Sequence, residues 1–97
     1  MSGKAQTAPS RELLLANHTF PCAYMIKAFG PNDEAFKVAV LASASAVLPE
    51  SHIGSQERTT KNGSQVCITL TLFARSVEDV EAVYAGIHRI STLKFIL

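Results

Sequence analysis

Alternation of apolar and polar residues, broken twice by helical periodicity, divides most of the chain into six elements. From Cys22 to Phe29, Tyr24, Ile26 and Ala28 alternate with Met25, Lys27 and Phe29. Period-two alternation predicts a strand with one apolar face and one mixed face. Pro21 stands at its entry, where a missing N–H costs a ladder little. Gly30-Pro31-Asn32 ends the strand. Asn32 is placed as the helix N-cap, and Asp33 and Glu34 bring negative charge to the first turn. The helix runs from Asp33 to about Val47 on a stripe of Phe36, Val40, Ser43 and Val47, with Ala39 and Ala44 beside it, and Pro49 stops it. Ile53 to Thr60 is poor in apolar residues, which suits a sheet edge guarded by Glu57 and Arg58. Lys61-Asn62-Gly63 is a hairpin turn. The returning strand, Gln65 to Arg75, puts Val66, Ile68, Leu70, Leu72 and Ala74 on one face and Cys67, Thr69, Thr71 and Phe73 on the other, and reads as central. Ser76 and Asp79 have the spacing of a capping box. A second helix follows from Val77 to about Ile90, buried along Val80, Val83, Tyr84, Ile87 and Ile90, and Thr92 to Leu97 forms a last strand.

The order β-α-β-β-α-β, with right-handed crossovers and one tight hairpin, leaves few arrangements. The expectation is an α+β, ferredoxin-like βαββαβ two-layer sandwich: an antiparallel sheet in the order 4-1-3-2 with two helices on one face. Residues 18–97 make this single domain, and residues 1–17 are expected as a flexible N-terminal tail, with one helical turn at 11–17 an open alternative. A chain of 97 residues buries enough surface to fold without metal or disulfide staples.

Two layers leave one sheet face without helices. By strand parity that face carries Met25, Lys27, Phe29, Cys67, Thr69, Thr71 and Phe73, joined by Phe95 if the last strand turns Lys94 and Ile96 the other way. A half-apolar surface with aromatic anchors marks a binding face. Met25, Lys27, Phe29, Thr69, Thr71 and Phe73 are therefore the candidate ligand or partner residues. Lys27 is a charge in mid-strand, suited either to snorkelling into water or to contacting an anion. Arg58 and Lys61, at the hairpin, have the same two readings. Cys22 falls on the opposite face from Cys67, which separates the two thiols.

Composition narrows the chemistry. The net charge of +1 gives no bulk attraction for nucleic acid or an anionic membrane. No apolar run reaches the roughly 20 residues that span a bilayer, and Leu13-Leu14-Leu15 is too short for a signal core, so a cytoplasmic location is expected. His18, His52 and His88 lie in unrelated segments without partners at ligand spacing, there is no C-x-x-C, and no glycine-rich phosphate loop is present. No metal, no cofactor and no catalytic residues are assigned. An RNA-binding surface of this fold needs several stacking aromatics on its third strand, and here only Phe73 stands there. A phosphatase of this architecture needs an anion cradle after the first strand, where Pro31-Asn32-Asp33-Glu34 is acidic.

Several motifs carry a resemblance. Phe20-Pro21, Lys27 and Gly30 resemble the F-P-x5-K-x2-G opening of the YbeD-like family of small bacterial proteins. Ala74 to Tyr84 is similar to that family's A-x-x-x-E-x-V-x-x-[ILV]-Y helix start, and Leu93-Lys94-Phe95-Ile96-Leu97 to its final strand. The resemblance spans residues 20–97. It departs after Gly63, where Ser64 and Gln65 stand in place of the aromatic that many members carry. It implies a fold similar to ACT-type regulatory domains, which bind small metabolites at dimer interfaces.

The expected function is a small regulatory or ligand-sensing module acting through its open sheet face or by dimerisation, with a protein-binding adaptor as the alternative and an enzyme or RNA binder as residuals. The partners left open are a second copy, another protein or a small metabolite. Nucleic acid and membrane are disfavoured.

Overall fold

The computed structural model describes residues 8–97. Its elements are α1 (Arg11–Asn17), β1 (Cys22–Pro31), α2 (Glu34–Ser45), a short 3-10 turn (Glu50–His52), β2 (Ile53–Thr59), β3 (Gln65–Ala74), α3 (Val77–His88) and β4 (Phe95–Ile96). The strands form one antiparallel sheet in the order β2-β3-β1-β4, which is β4-β1-β3-β2 from the other edge. Below the sheet, α2 and α3 make the second layer of a small α+β sandwich.

The ladder between β1 and β3 is ten residue pairs long, from Cys22 beside Ala74 to Pro31 beside Gln65. It turns Ile26, Ala28, Val66, Ile68, Leu70, Leu72 and Ala74 to one side, where all are buried with Phe36, Val40 and Ala44 of α2 and Val80, Val83, Tyr84 and Ile87 of α3. Each large aliphatic side chain placed there contributes about 1.5–3 kcal/mol. β2 is exposed along nearly its whole length and forms an edge, as its composition predicts.

Local details depart from expectation in instructive ways. The cap of α2 is Asp33, whose carboxylate accepts from Phe36 N at 2.8 Å. Asn32 instead ties the loop to the hairpin: its backbone N–H donates to Ser64 O and its amide to Gly63 O. The buried stripe of α2 is Phe36, Val40 and Ala44, continued by Leu48, while Ser43 and Val47 are only half-buried. Ser43 instead faces α3 and donates its hydroxyl back to Ala39 O. In the turn, only Gly63 has a positive φ, and Asn62 Oδ1 accepts from the Ser64 N–H and hydroxyl and from Thr60 Oγ1. The last strand is short, but Lys94 N donates to Phe29 O and Leu97 N to Lys27 O, so the chain stays against β1 to its end.

Of the two alternatives for residues 11–17, a tail or a helical turn, the chain takes the helix. Residues 1–7 lie outside the described residues, but Arg11–Asn17 is a packed helix. Ser10 caps it, its hydroxyl accepting from Leu13 N. Of the three leucines only Leu14 is buried, with Leu13 and Leu15 exposed. Arg11 binds Glu81 through a forked hydrogen bond and lies 3.5 Å from Glu78, which anchors α1 on α3. Behind it, His18 packs edge-on against Tyr24, and the Tyr24 and Tyr84 hydroxyls share a hydrogen bond of 3.0 Å. Burial, with that bond second, pushes the Tyr84 hydroxyl pKa far above the ordinary phenol value. No helix among the described residues is long and apolar enough to cross a membrane.

At α3 the return bond runs not to the N-cap Ser76, as in a capping box, but to Arg75 before it. The Ser76 side chain makes no cap bond. Asp79, almost fully buried, reaches back to accept from Arg75 N at 3.0 Å and from Arg75 Nε at 2.9 Å, and Arg75 Nη2 also donates to Val47 O. One arginine thereby joins β3, α3 and the end of α2. Its side-chain hydrogen bond is the main reason the Asp79 carboxyl lies below the ordinary carboxylate range, outweighing the effect of burial.

Two predictions follow from these contacts. A Cβ on Gly30 would sit 2.5 Å from the Phe36 ring, whereas one on Gly54 meets nothing nearer than 3.8 Å. Gly30→Ala is expected to cost about 1–3 kcal/mol by overpacking, and Gly54→Ala within about 0.5 kcal/mol, read as denaturant midpoints. Asp79→Asn is expected to lower the unfolding free energy at neutral pH by about 1.5–3 kcal/mol, the worth of hydrogen bonds to a charged group. Because the folded-state pKa is lowered, the gap between wild type and variant is full above the ordinary value of about 3.9 and closes as pH falls through the folded one. Urea titrations across the acid range read this, and a gap independent of pH would exclude the ion pair as its source.

Candidate ligand-binding face

The ladders arrange the uncovered face in rows. The first runs Arg58, Cys67, Phe29, Phe95 across all four strands. The second is Gln56, Thr69, Lys27, the third Gly54, Thr71, Met25, and the fourth brings Phe73 beside Ala23. All six predicted residues, Met25, Lys27, Phe29, Thr69, Thr71 and Phe73, therefore share this face, and so does Cys67.

Two ends of the face differ. In the first row the rings of Phe29 and Phe95 stack with centroids 4.3 Å apart and planes 13° from parallel. That contact puts Phe95 on the open face, while Ile96 is buried below. At the other end Phe73 is 46% exposed and meets the edge of His52 at 5.4 Å. His52 Nδ1 is buried there with no hydrogen-bond partner among the described residues. Met25, between the ends, is 55% exposed.

Met25, Lys27, Phe29, Gln56, Glu57, Arg58, Cys67 and Thr69 line one open hollow of about 670 Å³. The Glu57 carboxylate is engaged by Lys37 Nζ of α2 at 3.2 Å. Among the described residues Lys27 and Arg58, like Lys61, Arg89 and Lys94, have no carboxylate partner, whereas Lys37 and Arg75 have one each and Arg11 two. The hollow thus presents two cations, a hydroxyl, an amide and a thiol beside an aromatic wall. A slightly larger cleft, about 720 Å³, runs between α2 and α3, lined mostly by small side chains such as Ala39, Ala42, Ala82 and Gly86, with Ser43, Arg89, Ser91 and Thr92 as its polar groups and no aromatic wall.

Sequence reasoning assigns Arg58 chiefly to the edge and gives Gln56 and His52 no part in the face. The signal was in the hairpin: centring the loop on Asn62-Gly63 pairs Thr59 with Val66, and so Arg58 with Cys67 and Gln56 with Thr69. His52 reaches Phe73 from the turn before β2, which no strand parity describes. The two cysteines are free, and their ladder positions put them on opposite faces. No group of three His, Cys, Asp or Glu side chains among the described residues is placed to hold a metal ion. His18 and His88 lie away from the face, His18 against Phe20 and Tyr24, and His88 Nδ1 beside Tyr84 O at 3.0 Å.

Residues 16–97 match the model of a family described as protein of unknown function (DUF493). The chain belongs to the DUF493 family. A UPF0250 protein of Nitrosomonas europaea is 27% identical to it over 70 residues, which cover 71% of this chain and 80% of the relative. The YbeD-like resemblance read from the motifs is borne out. No solved structure matches the chain. Within this DUF493 chain the motif residues have visible physical roles. Phe20-Pro21 is a cis peptide leading into β1, Gly30 makes room for the Phe36 ring, and Lys27 stands on the open face. All but two residues of α1 precede the matched region.

Exposed cations without partners do not support a fold. Lys27→Met and Arg58→Gln are expected to change stability by no more than about 0.5 kcal/mol, measured by urea unfolding. A loss of 2 kcal/mol or more, roughly what a core substitution costs, would mean that these side chains hold the sheet rather than serve its surface.

Proposed function

We propose that this protein is a non-enzymatic regulatory module of ferredoxin-like, ACT-type architecture that senses a small ligand through its uncovered sheet face. The observation that carries the reading is the hollow in which Lys27 and Arg58 stand without carboxylate partners among the described residues, beside the Phe29–Phe95 stack. Aromatic walls and a few placed polar groups are the usual makings of a small-molecule site. The rigidity of the four-stranded ladder suits a sensor, because the ligand meets a preformed surface. The reading places the protein in the cytoplasm, where unpaired thiols such as Cys22 and Cys67 are ordinary.

A protein-binding adaptor is the second reading. What favours it is the rest of the face, where Phe73 is exposed beyond the hollow and Met25 is exposed at its margin. Exposed apolar anchors of this kind commonly receive a partner chain.

A thermal-shift screen against amino acids and common metabolites, read beside light-scattering mass, separates the two. A ligand at a hundredfold excess over its dissociation constant adds about 2.7 kcal/mol, which for a domain of this size raises Tm by roughly 10 °C or more. Such a shift, lost in Lys27→Met, is the expected result. A flat screen, with Phe73→Glu abolishing capture of one stoichiometric protein, would replace the sensor with the adaptor.

A further inference from the structure

We infer that the hollow is a subsite for a small carboxylate with a flat apolar body. This rests on the open-face reading and names the ligand class for it. The two cations flank β3 from opposite sides, Arg58 beside Cys67 and Lys27 beside Thr69. Two strand spacings across and two residues along separate their Cα atoms by about 12 Å, and both residues line the same hollow. Like charges converging on one depression repel unless an anion lies between them. The described structure supplies none, since the only carboxylate lining the hollow, Glu57, is held by Lys37.

The remaining walls select among anions. Thr69 and Gln56 can donate to a carboxylate oxygen not taken by the cations. Phe29, held flat by Phe95, offers a ring face to an apolar body. The floor is β3, the strand paired on both sides, whose backbone N–H groups are consumed by the two ladders. No nest of free N–H groups is therefore turned toward the hollow, as phosphate cradles require. Two side-chain cations with an aromatic wall fit a singly charged carboxylate carrying a ring or alkyl body better than a bare phosphate.

The test is a titration of the isotope-labelled full chain by heteronuclear NMR at constant ionic strength, with phenylacetate, phenylacetamide and inorganic phosphate as probes. Phenylacetate is expected to give saturable shifts centred on the amides of Lys27, Arg58, Cys67 and Thr69. Phenylacetamide, the same shape without charge, is expected to bind at least about tenfold more weakly, the ratio that 1.4 kcal/mol represents. Lys27→Met and Arg58→Gln should each weaken phenylacetate severalfold while leaving the spectrum elsewhere unchanged, and Lys27→Arg should retain binding. If phenylacetamide shifts the same amides at the same concentrations, the anion subsite is overturned and the open-face reading stands. If phosphate binds as tightly as phenylacetate, the assignment of an apolar body is overturned. If both aryl probes leave this face unmoved, or act only on the helices, the subsite and the open-face reading fall together.

Discussion

The register of the β1–β3 ladder is the constraint on which the rest of this protein depends. Ten consecutive pairs fix which side every residue of the two central strands takes. A slip of β3 by one residue would exchange its two faces. It would carry Val66, Ile68, Leu70, Leu72 and Ala74 into water and Thr69 and Thr71 into the core. Each of the four larger aliphatic side chains gains about 1.5–3 kcal/mol from burial, so the slipped arrangement loses as much as many whole domains have in stability. The core thereby specifies the open face, although no open-face residue contributes to it strongly.

Other contacts keep that register rigid. The Gly30 backbone lies against the Phe36 ring, which locks the end of β1 to α2. At the other end the Tyr24–Tyr84 hydrogen bond joins β1 to α3, and Arg75 with Asp79 joins β3 to both long helices. The Phe29–Phe95 stack then fastens the short β4 to the sheet's uncovered side. None of these ties uses Lys27 or Arg58. Charges that the fold does not need, set on a surface that the fold holds still, are what a recognition site requires.

Most of the architecture was legible because both periodicities are clean. The unbroken alternation from Val66 to Ala74 located the central strand and its uncovered face together. The opposite strand parity of Cys22 and Cys67 already separated the two thiols. The helix α1 was legible only as an open alternative to a tail. Three adjacent leucines have no period, and the tie that holds it, Arg11 to Glu81, spans 70 residues of sequence. Asn32 and Asp33 are both good caps, and only the three-dimensional path of the loop past Ser64 decides between them. Ser43 and Val47 shared the helical stripe on paper, yet the core took Ala44 and Leu48, because α2 meets the sheet along the i, i+4 line and α3 along its neighbour.

Parity therefore does for function here what motifs do elsewhere: it gathers residues from three strands into one accessible patch. The most direct test of that claim is the methyl relaxation caused by a soluble paramagnetic chelate added to the free protein. Methyls of Met25, Thr69 and Thr71 should relax strongly, while those of Ile26, Ile68, Leu70 and Leu72 should be little affected. Met25 and Thr71 methyls as protected as that of Leu70 would contradict it, because the face would then already be covered in the free protein or the ladder would run in another register.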